Sequence, residues 1–326
     1  MSNINTTVII QTGQSREYLI VGYYSLILII LGTFFNMITF FILCRSTFRN
    51  VKIKPTLHYM RAMAIFDILM LYGWNLDHYL KNIYQIRIVT YSLLSCKMIS
   101  FLSFFAPQSS AWLRVFVCLD RYLSLSRLHR TWFGQSKNVL IIISCIICIL
   151  FLLNFHFFLF VCYYTSKGTI TVYSWLYNVY PLWDNINFAV YNCVPFILMI
   201  IFNSCMIYHL IHLRHTTSIQ NSQIQHRSIS ITLVITTFLF LIMTVPSNIA
   251  FSFFSSSNNI LLWFLDCLVY SYHTLSFPLY MITYDEFRKE FFKIIRCKRN
   301  SGRVVPLTRT GTMPQTFAIA KTMTNN

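Results

Sequence analysis

Long apolar stretches with few charged residues are the feature of this chain that most restricts its fold. Each stretch reaches about 20 residues, which is the length that an α-helix needs to cross roughly 30 Å of hydrocarbon. Hydrophobic residues make up 56% of the chain, and charged residues only 11%. This composition excludes an ordinary soluble domain, so the lipid bilayer is the solvent in which the fold must be understood.

Polar breaks divide the apolar sequence into seven segments that we predict to be transmembrane helices: 18–44, 55–80, 93–126, 137–161, 185–213, 226–254 and 259–282. The predicted fold class is an all-α membrane protein, a seven-transmembrane helix bundle with a short amphipathic eighth helix. The predicted parts are an extracellular tail (1–17), the bundle (18–282), a juxtamembrane helix (283–299) and a cytoplasmic disordered tail (300–326). Because residues 1–17 are polar, a cleaved signal peptide is not expected, and the first helix would serve as an uncleaved anchor.

The distribution of basic residues predicts the orientation. The net charge of +17 would suggest nucleic acid in a soluble protein, but Lys and Arg here lie between the apolar segments, so no nucleic-acid partner is expected. With a cytoplasmic C-terminus, twenty basic residues lie inside and five lie outside. The positive-inside rule therefore predicts a multi-pass plasma-membrane protein with an extracellular N-terminus. Asn5 would then be a glycosylation site in Asn5-Thr6-Thr7, although a chance match is an equal alternative.

The segment after the seventh predicted helix is amphipathic. Between Asp285 and Arg299, apolar residues alternate with basic ones, which is typical of a helix lying on an anionic inner leaflet. Cys297 follows in a basic juxtamembrane setting that favours S-palmitoylation, and an unmodified cysteine is the open alternative.

The sequence Asp120-Arg121-Tyr122 ends the third predicted helix on its cytoplasmic side, and Cys96 begins the same helix. In this context the chain resembles the rhodopsin-like family of G-protein-coupled receptors over nearly its whole length. Further matches in order are Asn36, Asp67, Pro195, Pro246, Tyr280 and Phe287. The run from Trp112 to Val115 and from Tyr122 to Arg127 is similar to invertebrate receptors of the FMRFamide-receptor-like set, which would make the chain a neuropeptide receptor.

The resemblance implies a transducer that converts binding of an extracellular ligand into activation of a heterotrimeric G protein, and the candidate ligand is a basic or amidated peptide. Asp120 would hold Arg121 at rest, and Arg121 would meet backbone carbonyls of the G protein when active. The sixth helix would swing about Pro246, with Tyr280 in the seventh taking part in activation. Two motifs depart from the family: Met243-Thr244-Val245-Pro246 lacks the aromatic toggle, and Ser276 to Tyr280 lacks the usual Asn. A divergent activation geometry, or weak signalling, is expected from these departures.

The resemblance also implies a disulfide between Cys96 and Cys162, with Cys193 as the competing partner. In relatives, a carboxylate at the position of Asp67, close to Ser110, holds a sodium ion together with an Asn of the seventh helix. Because Ser276 replaces that Asn, we expect the guanidinium of Arg114 to replace the ion and to pair with Asp67. The alternative is that Arg114 meets backbone carbonyls or water near the sixth helix. Together with Asn36, these residues form the predicted polar core.

Three residues near the outer ends of the helices are candidate ligand-binding residues: Asp77, Asp266 and Ser103. Carboxylates there favour a cationic ligand, but pairing with the chain's own Arg87, Lys97 or Lys167 is an equal alternative. A biogenic amine is not expected, because the third helix offers only Ser103 among apolar neighbours. A retinal-binding opsin is excluded, since no lysine lies between Lys167 and Lys289.

Two other classes of membrane protein remain as alternatives. A His-dependent membrane enzyme could use His209, His212 and His215, which recur at a spacing of three, but a solvated basic helix end is the favoured interpretation. A channel or transporter would need repeated halves or several ionisable groups, and only Asp67, Arg114 and Asp266 qualify. We therefore expect no enzymatic activity, no cofactor and no metal.

Overall fold

A computed structural model describes residues 16–45, 56–125, 135–171, 182–216, 222–254 and 260–300. These residues are almost entirely helical. The helices of the first half are α1 (Arg16–Leu43), α2 (Thr56–Leu71), α3 (Trp74–Tyr84), α4 (Leu93–Leu125), α5 (Ser136–Asn154) and α6 (His156–Phe160). Those of the second half are α7 (Leu182–Asn187), α8 (Val194–Thr216), α9 (Ser222–Phe254), α10 (Ile260–Thr274), α11 (Ser276–Thr283) and α12 (Asp285–Asn300).

Four stretches in the described part of the chain are long and apolar enough to cross a membrane: Arg16–Leu43, Ser136–Phe160, Leu182–His209 and Ile231–Phe251. Their outward faces carry exposed apolar side chains such as Ile30, Phe34 and Ile149. Polar side chains instead lie inside, and Asn36 and Asp67 are fully buried. Apolar side chains outside and polar ones inside are the arrangement that a hydrocarbon solvent favours.

Helix α4 has a central position, in contact with α2, α5 and α8. Helix α1 packs on the other side of α2 and also against α10, where Gly32 permits a close approach. A Cβ atom at Gly32 would lie 2.4 Å from a methyl of Leu71 and 2.7 Å from a methyl of Thr274. Close packing through small residues is a general device of helices in membranes, where no hydrophobic force drives helix association.

The structure corrects three of the predicted helices, which are interrupted. The segment 55–80 is divided at Tyr72 and Gly73 into α2 and α3, because the Trp74 N–H bonds the Ser103 hydroxyl at 3.0 Å. The segment 259–282 is divided at Leu275 into α10 and α11. The segment 185–213 begins earlier, at Leu182, and contains a π-helical turn over Phe188–Cys193. All three interruptions border the site described below.

One disulfide bond ties the top of α4 to the segment after α6. Cys96 and Cys162 form this bond, as expected, while Cys193 is a free thiol. The chain continues from Cys162 into a short antiparallel hairpin of strands β1 (Tyr163–Tyr164) and β2 (Ile170–Thr171). The hairpin thus starts at a residue that is covalently attached to α4.

Helix α12 follows α11 after a single residue and is amphipathic. Its Phe287 is fully buried, with its ring 5.8 Å from that of Phe277 and 5.6 Å from that of Tyr280. Phe292 and Ile295 remain exposed on the same helix. Phe291 also lies against Phe277, with 5.4 Å between ring centres, so the helix packs against α11 by two aromatic residues and presents further apolar side chains to its surroundings.

Candidate functional site

A fully buried carboxylate organises the centre of the molecule. Asp67 of α2 accepts hydrogen bonds from Ser110 Oγ at 2.5 Å, Arg114 Nη2 at 2.9 Å and Ser276 Oγ at 3.3 Å. His273 Nδ1 lies 2.7 Å from Asp67 Oδ1, the oxygen that also accepts from Ser110. The structure thus brings together four predicted residues of the polar core, and adds a histidine. These residues belong to α2, α4, α10 and α11, so one carboxylate connects four helices.

The expected ion pair between Arg114 and Asp67 is present. Arg114 is 3% exposed, donates to both carboxylate oxygens, and also donates from Nη1 to Ser110 Oγ at 2.6 Å. Its guanidinium carbon lies 4.7 Å from the centre of the Tyr272 ring. A lone charge in hydrocarbon costs at least about 2.5 kcal/mol, so the pairing is what allows both residues to be buried. The guanidinium and an imidazole N–H occupy the carboxylate, so these residues do not fit a sodium ion.

His273 is a core residue that the sequence analysis missed. Its Nδ1 faces Asp67, and its Nε2 lies 3.1 Å from the Tyr191 hydroxyl. Asn36 donates to the backbone carbonyl of His273 at 3.0 Å, next to the interruption at Leu275. The available sequence signal was the spacing of His273 and Ser276, which places both on one face of the seventh predicted helix.

A cavity of about 360 Å³ lies on the side of this core that is nearer to the Cys96 end of α4. Its wall contains two carboxylates, Asp184 and Asp266, and several aromatic rings. The aromatic residues are Trp74, Phe104, Tyr191, Phe251, Trp263 and Tyr270. The size lies within the usual range of small-ligand sites, which is about 300–1,000 Å³. Polar side chains such as His78, Asn187 and Asn248 alternate with these rings, so the wall is more polar than in most such sites, which are predominantly apolar.

Two of the three predicted ligand-binding residues, Asp266 and Ser103, line the cavity, and Asp77 does not. Asp266 lines the cavity, with Oδ2 3.5 Å from His78 Nδ1. Ser103 also lines it, but its hydroxyl bonds the Ile99 carbonyl at 2.7 Å and accepts the Trp74 N–H. Asp77 is not among the residues that line this cavity, and its carboxylate accepts the N–H of Val89 at 3.3 Å. Its contact in the structure is thus with the backbone of the loop after α3.

Asp184 is the cavity carboxylate that the sequence analysis omitted. It belongs to α7 and stands one residue before the segment predicted as the fifth helix. Its position at the end of a helix was predictable from the sequence. Its proximity to the cavity was not predictable, because that depends on how α7 packs against the other helices.

Asp120 and Arg121 are both buried at the opposite end of α4, with exposures of 6% and 3%. Asp120 accepts a hydrogen bond from the Thr56 hydroxyl at the start of α2. The ring of Tyr122 lies 5.7 Å from that of His209. Through these contacts, the motif contributes to the packing of α4 against α2 and α8.

A small cavity of about 20 Å³ lies between this end and the core. Arg114, Tyr272, Ser276, Tyr280 and Tyr284 are among its lining residues. Tyr280 thus faces the same space as Arg114, and its ring also contacts Phe287 of α12. The space adjoins the residues that the family resemblance connects with activation.

Other predicted residues are placed as follows. Pro246 lies within the continuous helix α9, and Cys297 lies in α12, where its side chain is outside the described part. Asn5 is outside the described residues. Of the three spaced histidines, His212 lies near Tyr208 and His209 near Tyr122, while the side chain of His215 is not among those described.

Comparison with known proteins gives no relative. No protein-family model matches the chain, and no curated protein matches it. The assignment of function therefore depends on the sequence motifs and on the geometry above.

Proposed function

We propose that this chain is a seven-helix membrane receptor of the rhodopsin-like type, which couples an extracellular ligand to a heterotrimeric G protein. The observation that carries the proposal is the position of three features along α4. In chain order along α4, the ligand-sized cavity lies beside Phe104, the Asp67–Arg114 pair comes next, and Asp120-Arg121-Tyr122 lies near the end of the helix at Leu125. A receptor needs these three parts in this order: a binding site, a responsive core and an effector surface.

The buried ion pair supports a bundle with more crossings than the four stretches that are long and apolar enough to span a membrane. Three further helical stretches, α2 with α3, α4, and α10 with α11, contain charged residues. Two of these charges, on Asp67 and Arg114, neutralise each other inside the fold. Helix α4 has 33 residues and would extend about 50 Å, which exceeds the hydrocarbon thickness. Seven crossings with α12 on the inner leaflet are consistent with these lengths.

The orientation follows from charge and from the disulfide. Under the positive-inside rule, the side with Asp120 and α12 is cytoplasmic, and the side with the outer cavity is extracellular. The disulfide between Cys96 and Cys162 lies at the outer end of α4, where an oxidising compartment would allow it to persist. The plasma membrane is therefore the proposed location.

The cavity wall supports a cationic ligand, and we propose a peptide with an arginine side chain. A guanidinium can donate to a carboxylate in a bidentate manner and can stack on aromatic rings. Both kinds of partner line this cavity, as Asp184 and Asp266 and as Trp74, Trp263 and Tyr270. No Lys or Arg is among the cavity-lining residues in the described part of the chain.

The Asp266→Asn variant should bind phenylalanyl-arginine amide at least about tenfold more weakly than the unchanged chain, because a charge-assisted hydrogen bond is lost. Phenylalanyl-citrulline amide, which has the same shape and the same N-terminal ammonium but lacks the side-chain charge, should bind weakly to both. Binding is measured by titration of purified receptor in lipid nanodiscs.

The matched control for this variant is Asp77→Asn. Asp77 lies on the same outer side but outside the cavity, and an asparagine can still accept the Val89 N–H. It should leave the affinity for phenylalanyl-arginine amide unchanged. Equal affinity for the arginine and citrulline peptides, or equal loss in both variants, would contradict a cation site at Asp266.

A nucleotide-exchange assay and an ion-current recording, carried out in parallel, test whether the chain is a receptor or a channel. The full chain, reconstituted with purified G-protein heterotrimers, should accelerate nucleotide exchange on the Gα subunit. The same chain in a planar bilayer should conduct no ions. A current without nucleotide exchange would replace the receptor proposal with the channel alternative.

A further inference from the structure

Tyr191 connects the outer cavity to the buried core through His273. Tyr191 lines the cavity, and its hydroxyl lies 3.1 Å from His273 Nε2. His273 Nδ1 lies 2.7 Å from Asp67, and Asp67 pairs with Arg114, which lines the small inner cavity. Four side chains thus form an unbroken hydrogen-bonded series from one cavity to the other.

The chemistry of these groups fixes the direction of each hydrogen bond. The Asp67 carboxylate, already paired with Arg114, only accepts, so His273 Nδ1 carries a hydrogen. In the neutral imidazole, Nε2 is then an acceptor, and the Tyr191 hydroxyl donates to it. Because each group has one defined role, a change at the tyrosine hydroxyl alters what the histidine can donate or accept.

The local backbone at Tyr191 is also unusual. It lies in the π-helical turn Phe188–Cys193, between α7 and α8. Such turns are rare, and they occur mostly as single-turn insertions in α-helices, frequently at functional sites. The Tyr191 ring packs edge-on against Phe240 of α9, with 5.6 Å between ring centres. The turn therefore directs Tyr191 both to α9 and to His273 of α10.

We propose that Tyr191 and His273 are positioning residues that transmit the state of the outer cavity to Arg114. A ligand that engages or displaces the Tyr191 hydroxyl removes the donor from His273 Nε2, and the Asp67–Arg114 pair rearranges in response. This proposal rests on the proposed receptor function for its biological meaning. Its structural part, the transmission from Tyr191 to Arg114, can be measured without any G protein.

The Tyr191→Phe variant tests the transmission, since it removes one hydroxyl and retains the ring that packs on Phe240. The full chain is labelled with ¹⁵N-arginine and ¹⁵N-histidine in lipid nanodiscs. Loss of signal in Arg114→Lys and in His273→Asn identifies the Arg114 Nε and His273 ring resonances. Tyr191→Phe should shift both sets of resonances.

Tyr270→Phe is the matched control, because Tyr270 lines the same cavity and interacts with Asp266 instead of His273. It should leave the Arg114 resonance in place. The proposal is overturned if Tyr191→Phe shifts His273 but not Arg114, or if Tyr270→Phe shifts Arg114 equally.

Basal nucleotide exchange with purified G protein provides the second readout. Tyr191→Phe and His273→Asn should each raise the unliganded rate about fivefold, at the lower end of ordinary coupling between sites, because the resting arrangement loses the same hydrogen bond. The double variant should equal the stronger single variant. An unchanged or lowered exchange rate in Tyr191→Phe overturns the proposal. If no chain, including the unchanged one, accelerates exchange, the result counts against the receptor function, and the resonance shifts alone decide whether Tyr191 is coupled to Arg114.

Discussion

Replacement of Asp67 by asparagine should sharply reduce the amount of folded protein at the cell surface, and so should replacement of Arg114 by leucine. Each change leaves one buried charge without its partner, a loss that costs about 3–5 kcal/mol for a buried ion pair. The double change leaves neither charge and should restore much of the folded protein. Surface labelling of the four chains gives the interaction between the two residues as a double-mutant cycle.

The two single variants should not be equally harmful. When Arg114 is lost, Asp67 still has His273, Ser110 and Ser276 as hydrogen-bond partners. When Asp67 is lost, Arg114 retains the Ser110 hydroxyl and the Tyr272 ring, but no carboxylate in the described contacts. We therefore expect Asp67→Asn to be the more damaging variant.

Two controls belong to this prediction. Ser276→Ala removes only a 3.3 Å hydrogen bond to Asp67 and should have a small effect. The stability of the unchanged chain should also be the same in sodium and in potassium buffers, because Arg114 occupies the carboxylate. Strictly additive losses in the cycle, or a clear stabilisation by sodium, would refute the pairing as the determinant of folding.

The Asp67–Arg114 pair was predictable from the sequence because hydrocarbon permits few arrangements of charge. An arginine in the middle of an apolar segment needs an anion, and Asp67 was the carboxylate that the family resemblance put at the same depth. His273 was not predictable in the same way. A neutral histidine can be buried without a counter-ion, so its position beside Asp67 follows only from the packing of α10 on α2.

The breaks at Gly73 and Leu275 were not predictable from the apolar pattern, which is continuous through both of them. A Cβ atom at Gly73 would lie 3.3 Å from the Cα atom of Ser103. The break between α2 and α3 therefore depends on contact with α4. That break also determines which side of α3 faces the bundle. The position of Asp77 near a helix end is evident from the sequence, but the direction of its side chain towards the Val89 N–H depends on this break.

Replacement of Arg121 by alanine should abolish nucleotide exchange on the G protein while folded protein continues to reach the surface. The proposed role of Arg121 is to meet backbone carbonyls of the G protein, and its five donors in a rigid fork suit that role. Asp120, beside it, is already engaged by the Thr56 hydroxyl. The measurement compares surface labelling with the exchange rate for the same preparation of reconstituted chain.

Arg288→Ala is the matched control, since it removes an arginine from the same end of the molecule. Arg288 is exposed on α12 and pairs with Asp285, so its loss should leave exchange unchanged. Arg121→Lys adds a second comparison, because it keeps the charge but not the planar fork, and it should recover only part of the rate. Loss of surface protein in Arg121→Ala would make Arg121 a structural residue. Full exchange in that variant would remove the motif from the coupling mechanism, and the buried position of Arg121, at 3% exposure, would then be explained by helix packing alone.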